Sequence, residues 1–177
     1  MRVFLNPGHS PNGNPDAGAC ANNLRECDVV KSIADLVEKY LVAAGVEVVG
    51  NFQYDGLSGI ANAANNTNAD IFVSLHCNSA ANISAHGTET FRYPGSAEGY
   101  KLADCIQRQL VKTLGTTDRG VKEANFAVLR LTDMTAVLVE IAFISNIDDA
   151  RILRHCQDVT ARAIARGITD YQQLVGK

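Results

Sequence analysis

The sequence predicts one α/β domain over residues 1–177: a mostly parallel or mixed twisted sheet flanked by helices on both faces. Three observations predict it. Short apolar runs of strand length alternate with stretches in which apolar residues recur every three or four positions. The helical stretches are ten residues or longer, enough to carry the chain from the end of one strand back to the start of a parallel neighbour. Hydrophobic residues make up 46% of the chain, enough for one substantial core, and no linker, low-complexity tract or internal repeat divides it.

The first element is the apolar run Val3-Phe4-Leu5, a buried strand that Asn6-Pro7-Gly8 ends. A loop rich in Gly, Asn and Pro follows from Gly8 to Ala21. From about Leu24 to Ala44, Val30, Ile33, Val37, Leu41 and Ala44 mark an amphipathic helix, with Gly45 at the expected C-cap. Val46–Val49 reads as a second strand and Ser58–Asn66 as an alanine-rich helix. Ile71–Leu75 is a third apolar strand that runs into His76. Thr88–Tyr93 alternates as a strand and stops at Pro94-Gly95. Leu102, Ile106, Leu110 and Leu114 define another helix, closed by Gly115. Phe126–Leu131 and Ala136–Phe143 read as two further strands. Asn146 with Asp149 is a helix start, and Ile164, Ile168 and Tyr171 share one face of the closing helix.

Composition removes several function classes. The net charge is −3 and the 16 basic residues are scattered, so the clustered basic footprint of a nucleic-acid binder is missing. No run approaches the ~18 apolar residues of a membrane span. The start MRVFLNPGHS lacks the basic and apolar regions and the cleavage site of a signal peptide, which points to synthesis and folding in a cytoplasm. Five cysteines, odd in number and without a CxxC pair, read as free thiols. Gly8 and Gly13 have the gap of a phosphate-binding loop, but Asn14-Pro15 replaces its Lys-Ser/Thr, so no nucleotide is expected.

In open α/β sheets the functional crevice lies beyond the carboxyl ends of the strands. His9 follows the first strand, His76 follows the third, and Glu140 interrupts the apolar run from Ala136 to Phe143. A carboxylate in such a run is costly to bury without compensation. No basic residue lies within eight positions of it, so either a distant salt bridge or a site role accounts for it. Two histidines at strand ends suit zinc, although each is equally readable as a loop or half-buried histidine. Asn23-Leu24-Arg25-Glu26 fits a capping box, and by itself that pattern makes Glu26 a helix cap before it makes it a ligand.

Taken together, these residues resemble the zinc-dependent N-acetylmuramoyl-L-alanine amidases of the "amidase 3" type, found in bacterial autolysins and phage endolysins. The resemblance rests on Val3-Phe4-Leu5-Asn6-Pro7-Gly8-His9, Asp16-Ala17-Gly18-Ala19, Leu24-Arg25-Glu26 and Ala69 through Asn78. It continues through Gly87-Thr88-Glu89-Thr90, Arg119-Gly120-Val121-Lys122, Val128-Leu129-Arg130 and Val137 through Asn146. Asn6 stands where an aspartate is common, Thr135 replaces a frequent proline, and an arginine usual before Ala61-Asn62 is missing. None of these departures touches a site position.

The resemblance implies that His9, Glu26 and His76 bind Zn2+ and that Glu140 transfers protons. It further implies a catalytic domain that hydrolyses the bond between N-acetylmuramic acid and L-alanine in peptidoglycan, acting on the bacterial cell wall as a partner surface. Without a signal peptide, a lysin released when the producing cell breaks fits best. The alternatives are a zinc peptidase or amidohydrolase acting elsewhere in the peptide stem, and a non-catalytic wall-binding domain of amidase-like fold.

Overall fold

The computed structural model describes residues 1–176. Strand β1 (Arg2–Pro7) leads through the Gly/Asn/Pro loop into a small hairpin of β2 (Cys20–Ala21) and β3 (Leu24–Arg25). Asn22 and Asn23 form its turn, both in the left-handed region with φ 49° and 57°. Asparagine tolerates that region, which suits a two-residue hairpin. Helix α1 (Glu26–Ala43) starts directly from the hairpin, with Arg25 as N-cap and no side-chain cap bond. The capping box expected from Asn23 therefore does not form, because Asn23 is occupied by the turn.

Strand β4 (Glu47–Asn51), α2 (Leu57–Asn65), β5 (Ile71–Asn78), β6 (Thr88–Arg92) and α3 (Ala97–Leu114) follow in order. Then come β7 (Asp118–Glu123), α4 (Ala127–Arg130), β8 (Thr135–Phe143), α5 (Ile147–His155) and α6 (Gln157–Val175). Six strands form one sheet in the order β4-β1-β5-β8-β6-β7. The four from β4 to β8 are parallel, β6 runs antiparallel to β8, and β7 is parallel to β6. The sheet is mixed.

One expected strand is corrected. Phe126–Leu131 is a single helical turn capped by Phe126, with Val128 and Leu129 both buried. Two consecutive buried side chains suit a turn lying on a sheet, whereas successive strand residues face opposite ways. The edge position is taken by β7, whose sequence DRGVKE lacks apolar alternation because an edge strand half open to water tolerates charge.

Alternation along the strands divides the interior in two. Val3, Leu5, Val73, Leu75, Val137, Val139 and Ile141 point to a large core shared with α1, α3 and α6. Burial of each such side chain stabilises by about 1.5–3 kcal/mol. Phe4, Phe72 and Leu138 point the other way, into a smaller core under α2 and α4. The second face is thinly covered, because those helices span only 9 and 4 residues. Its upper part, at the carboxyl ends of β1, β5 and β8, stays open. Among the described residues no helix is long and apolar enough to cross a membrane.

Candidate active site

Strand alternation places the polar residues of β5 and β8 on the thin face. His76 stands on that face near the carboxyl end of β5, in register with Glu140 on β8. Glu140 in turn pairs with Glu89 on antiparallel β6. Directly paired residues share a face, so His76, Glu140 and Glu89 form one row across three strands.

His9 and Glu26 reach this row from the loop and from the first position of α1. His9 has φ 71°, an uncommon conformation for a non-glycine residue. The loop is held in place by Gln53, whose Nε2 donates to Gly8 O at 2.9 Å and to Cys27 O at 3.0 Å, joining it to the start of α1. Glu26 is 4% exposed. Its Oε2 accepts from Ala19 N at 2.8 Å and its Oε1 from Cys77 N at 2.9 Å. His76 Nδ1 lies 3.0 Å from Oε1 and His9 Nε2 lies 2.9 Å from it. One ligand atom from each of His9, Glu26 and His76 falls within 4.8 Å of the others.

The site is tight enough that bare backbone forms its walls. A Cβ on Gly8 would sit 2.3 Å from His76 Cε1, and one on Gly18 would sit 2.5 Å from His9 Nε2 and 2.6 Å from Glu26 Oε2. Gly18 also has φ 68°, so glycine is favoured there twice over.

His9 Nε2 is close to Glu26 but misaligned for a hydrogen bond, and it is buried without a partner, as is Glu140 Oε2. Such orphaned atoms are rare in folded proteins and call for an explanation. Burial would pull the His9 imidazolium down, but the Glu26 and Asp16 carboxylates outweigh it and push its pKa up to about 9. Burial raises the Glu26 carboxyl, yet the two imidazoles hold it well below the usual carboxylate range. Burial, with Glu26 and Glu89 nearby, pushes Glu140 up to about 7. The arrangement thus takes up positive charge, as protons or as a metal ion. Two imidazole nitrogens and one carboxylate are a donor set that suits zinc and leaves a position open.

All four residues expected from the sequence meet at this one place. Three further residues escaped it. Asp16 Oδ2 accepts from His9 Nδ1 at 2.8 Å, which fixes the tautomer so that Nε2 faces Glu26. Gln53 ties the loop to α1, and Glu89 neighbours Glu140. Asp16 and Glu89 lie within stretches that resemble the amidases, but only the fold reveals their contacts. His86 and His155 are exposed and lie outside the cluster.

Comparison with known proteins agrees with this geometry. Residues 3–170 match the Amidase_3 family model, described as N-acetylmuramoyl-L-alanine amidase. The chain is 39% identical over 177 residues to N-acetylmuramoyl-L-alanine amidase LytC of Bacillus subtilis (strain 168), covering 96% of this chain but 35% of LytC. It is 37% identical over 190 residues to the endolysin of Bacillus phage SPP1, covering 99% of this chain and 67% of the endolysin. The crystal structure of an N-acetylmuramoyl-L-alanine amidase from Clostridium difficile 630 matches with a TM-score of 0.90 at 32% identity, covering 97% of this chain and 96% of that one. AmiC2 of Nostoc punctiforme matches with a TM-score of 0.88 at 34% identity, covering 98% and 97%. A family model that spans all but the chain's ends, and solved amidases that share its fold almost from end to end, lead to one assignment: this chain belongs to the Amidase_3 family of N-acetylmuramoyl-L-alanine amidases.

Proposed function

We propose that residues 1–177 form a zinc-dependent catalytic domain that hydrolyses the amide between N-acetylmuramic acid and L-alanine in peptidoglycan. His9, Glu26 and His76 hold the metal, and Glu140 moves the proton. The observation that carries this reading is the convergence of two imidazoles and a buried carboxylate on one point, with an unpartnered carboxylate in register beside them. Relatives named for this amidase activity supply the bond.

When bound, zinc supplies Lewis acidity, which polarises a carbonyl and acidifies water. The chain's own residues do the rest. Asp16 keeps His9 Nδ1 protonated, so that Nε2 presents its lone pair to the site. Two backbone N–H groups orient the Glu26 carboxylate. Glu140 accepts a proton from the attacking water and delivers it to the nitrogen of the departing L-alanine, which leaves as an amine. A carboxyl poised near neutrality suits both transfers.

The test is digestion of purified cell walls, with bound metal measured alongside. An amidase releases intact peptides with free L-alanine amino groups and creates no new reducing ends. Fragments cut within the stem would instead reveal a peptidase, and no release despite bound zinc would reveal a binding domain. Glu140→Gln is expected to keep its zinc and lose roughly 10²–10⁴-fold in turnover. His76→Ala is expected to lose the metal itself. Full activity in the glutamine variant would remove Glu140 from the mechanism.

A further inference from the structure

At the far end of the row, Glu89 gathers two cations, Arg119 and Lys122, to which the proposed reaction gives no role. Glu89 is 5% exposed. Asn78 Nδ2 donates to its Oε1 at 2.7 Å, while Arg119 Nε at 2.7 Å and Lys122 Nζ at 2.5 Å both donate to its Oε2. Two cations facing one carboxylate leave a positive surplus. Arg119 is engaged on several sides, donating also to His86 O and lying 4.9 Å over the Phe143 ring. Among the described residues Glu89 is the one acceptor recorded for Lys122, whose side chain is 40% exposed. An ammonium has three donors and a guanidinium five, so both cations keep donors to spare, and Lys122 is the one held by a single side chain and not also packed on a ring.

Its position relative to the reaction centre is set by the sheet. With strands roughly 4.8 Å apart, β7 lies about 10 Å from β8, and the Lys122 side chain leans back over β6 to meet Glu89. The opposite flank differs in kind. There the cavity of about 380 Å³ onto which His9 and His76 open is walled by Tyr54, Leu57, Phe126 and Leu138, with no lysine or arginine in its lining. A cation is therefore offered to the substrate from one side.

The substrate is equally lopsided. On the sugar side of the scissile amide stand neutral hydroxyl and acetamide groups. On the peptide side the second residue is a γ-linked glutamate, whose α-carboxyl is free in some walls and amidated in others. That carboxyl lies about 7 Å from the scissile carbon when the peptide is extended, at ~3.3–3.6 Å per residue. We propose that Lys122, held by Glu89 and backed by Arg119, binds this free carboxylate, so that the departing peptide runs across β6 toward β7. The inference rests on the amidase reading above. It makes the chain selective for walls in which the second stem residue is not amidated.

The experiment compares two synthetic muramoyl-pentapeptides that differ only in whether that α-carboxyl is free or amidated. The zinc-loaded protein is expected to favour the free acid by roughly tenfold in kcat/KM, mostly through KM, because the contact is made before and during the reaction alike. In Lys122→Met the ratio falls to near one, and in Lys122→Arg it is largely kept. Equal rates on both substrates, or a preference that survives in Lys122→Met, would overturn the assignment. Failure of the unaltered protein to cut either substrate would overturn the amidase reading itself, and this proposal with it.

Discussion

Individual side chains in this site are placed by partners that do not themselves react. His9 is the clearest case. Its left-handed backbone, the Gln53 bonds beneath it and the Asp16 carboxylate on Nδ1 all act on which way Nε2 points. Asp16→Asn retains the shape but weakens the grip on the N–H, and Asp16→Ala removes it. Outer partners of metal-bound histidines typically govern affinity by about 10–100-fold. Asp16 is mostly exposed, which puts the effect at the lower end. The expected outcome is a zinc affinity reduced roughly tenfold in Asp16→Ala, read by competition with a chelator, with the fold intact by circular dichroism. Unchanged affinity would mean that the loop backbone alone orients His9.

Whole elements were legible in the sequence where burial imposed a period, and illegible where it did not. Helix α1, the apolar strands β1 and β5, and the Asn146 cap of α5, whose side chain accepts from Asp148 N and Asp149 N, lie where periodicity and cap residues placed them. The edge strand β7 and the one-turn helix α4 had no such mark. The first is charged because it faces water, and the second is too short to complete a 3.6-residue repeat. The candidate site followed the same logic. Strand-end histidines and a carboxylate in an apolar run stand out, whereas Glu26 by its own pattern reads as a cap and is marked as a ligand only through the resemblance to the amidases. Two glycines separate element packing from site packing. Gly167 on α6 meets α3 so closely that a Cβ would lie 2.6 Å from Ile106 Cα and 2.9 Å from its N. Gly167→Ala is expected to force these helices apart and cost about 1–3 kcal/mol of stability, with zinc affinity unchanged. Gly8→Ala pushes on the His76 ring, in a backbone conformation that alanine tolerates. It is expected to lose most zinc affinity, with a smaller loss in chemical-denaturation midpoint. If both variants lost affinity equally, the site would be coupled to the helical layer and not confined to the thin face.

For the molecule as a whole, the site ties stability to pH in the metal-free state, and a bound metal would remove that tie. In the metal-free fold, His9 holds its proton up to about pH 9, whereas an unfolded chain releases it near 6.5. A raised pKa of this kind contributes stability that is fully present below 6.5 and is lost as pH climbs through 9. Glu140, pushed from 4.5 to about 7, acts in the same direction between those values. Glu26, held low, contributes stability present above 4.5 and steady across the same window. In the proposed site zinc would require His9 without its proton, so below about pH 9 binding would displace a proton and tighten as pH rises. Between 6.5 and about 9 the metal-free protein therefore weakens, while a metal-loaded protein, with His9 unprotonated both folded and unfolded, holds its stability. From pH 6 to pH 8.5, with nearly one proton displaced per metal ion bound, the gap between their thermal midpoints should widen by about 3 kcal/mol, roughly 6–12 °C for a chain of this size. Differential scanning calorimetry with excess zinc and with excess chelator measures both arms in the same buffers. A gap that stayed constant, or narrowed, would mean that protons and metal do not compete for the His9 imidazole, and the three-residue cluster would then have to be read as a network of ion pairs.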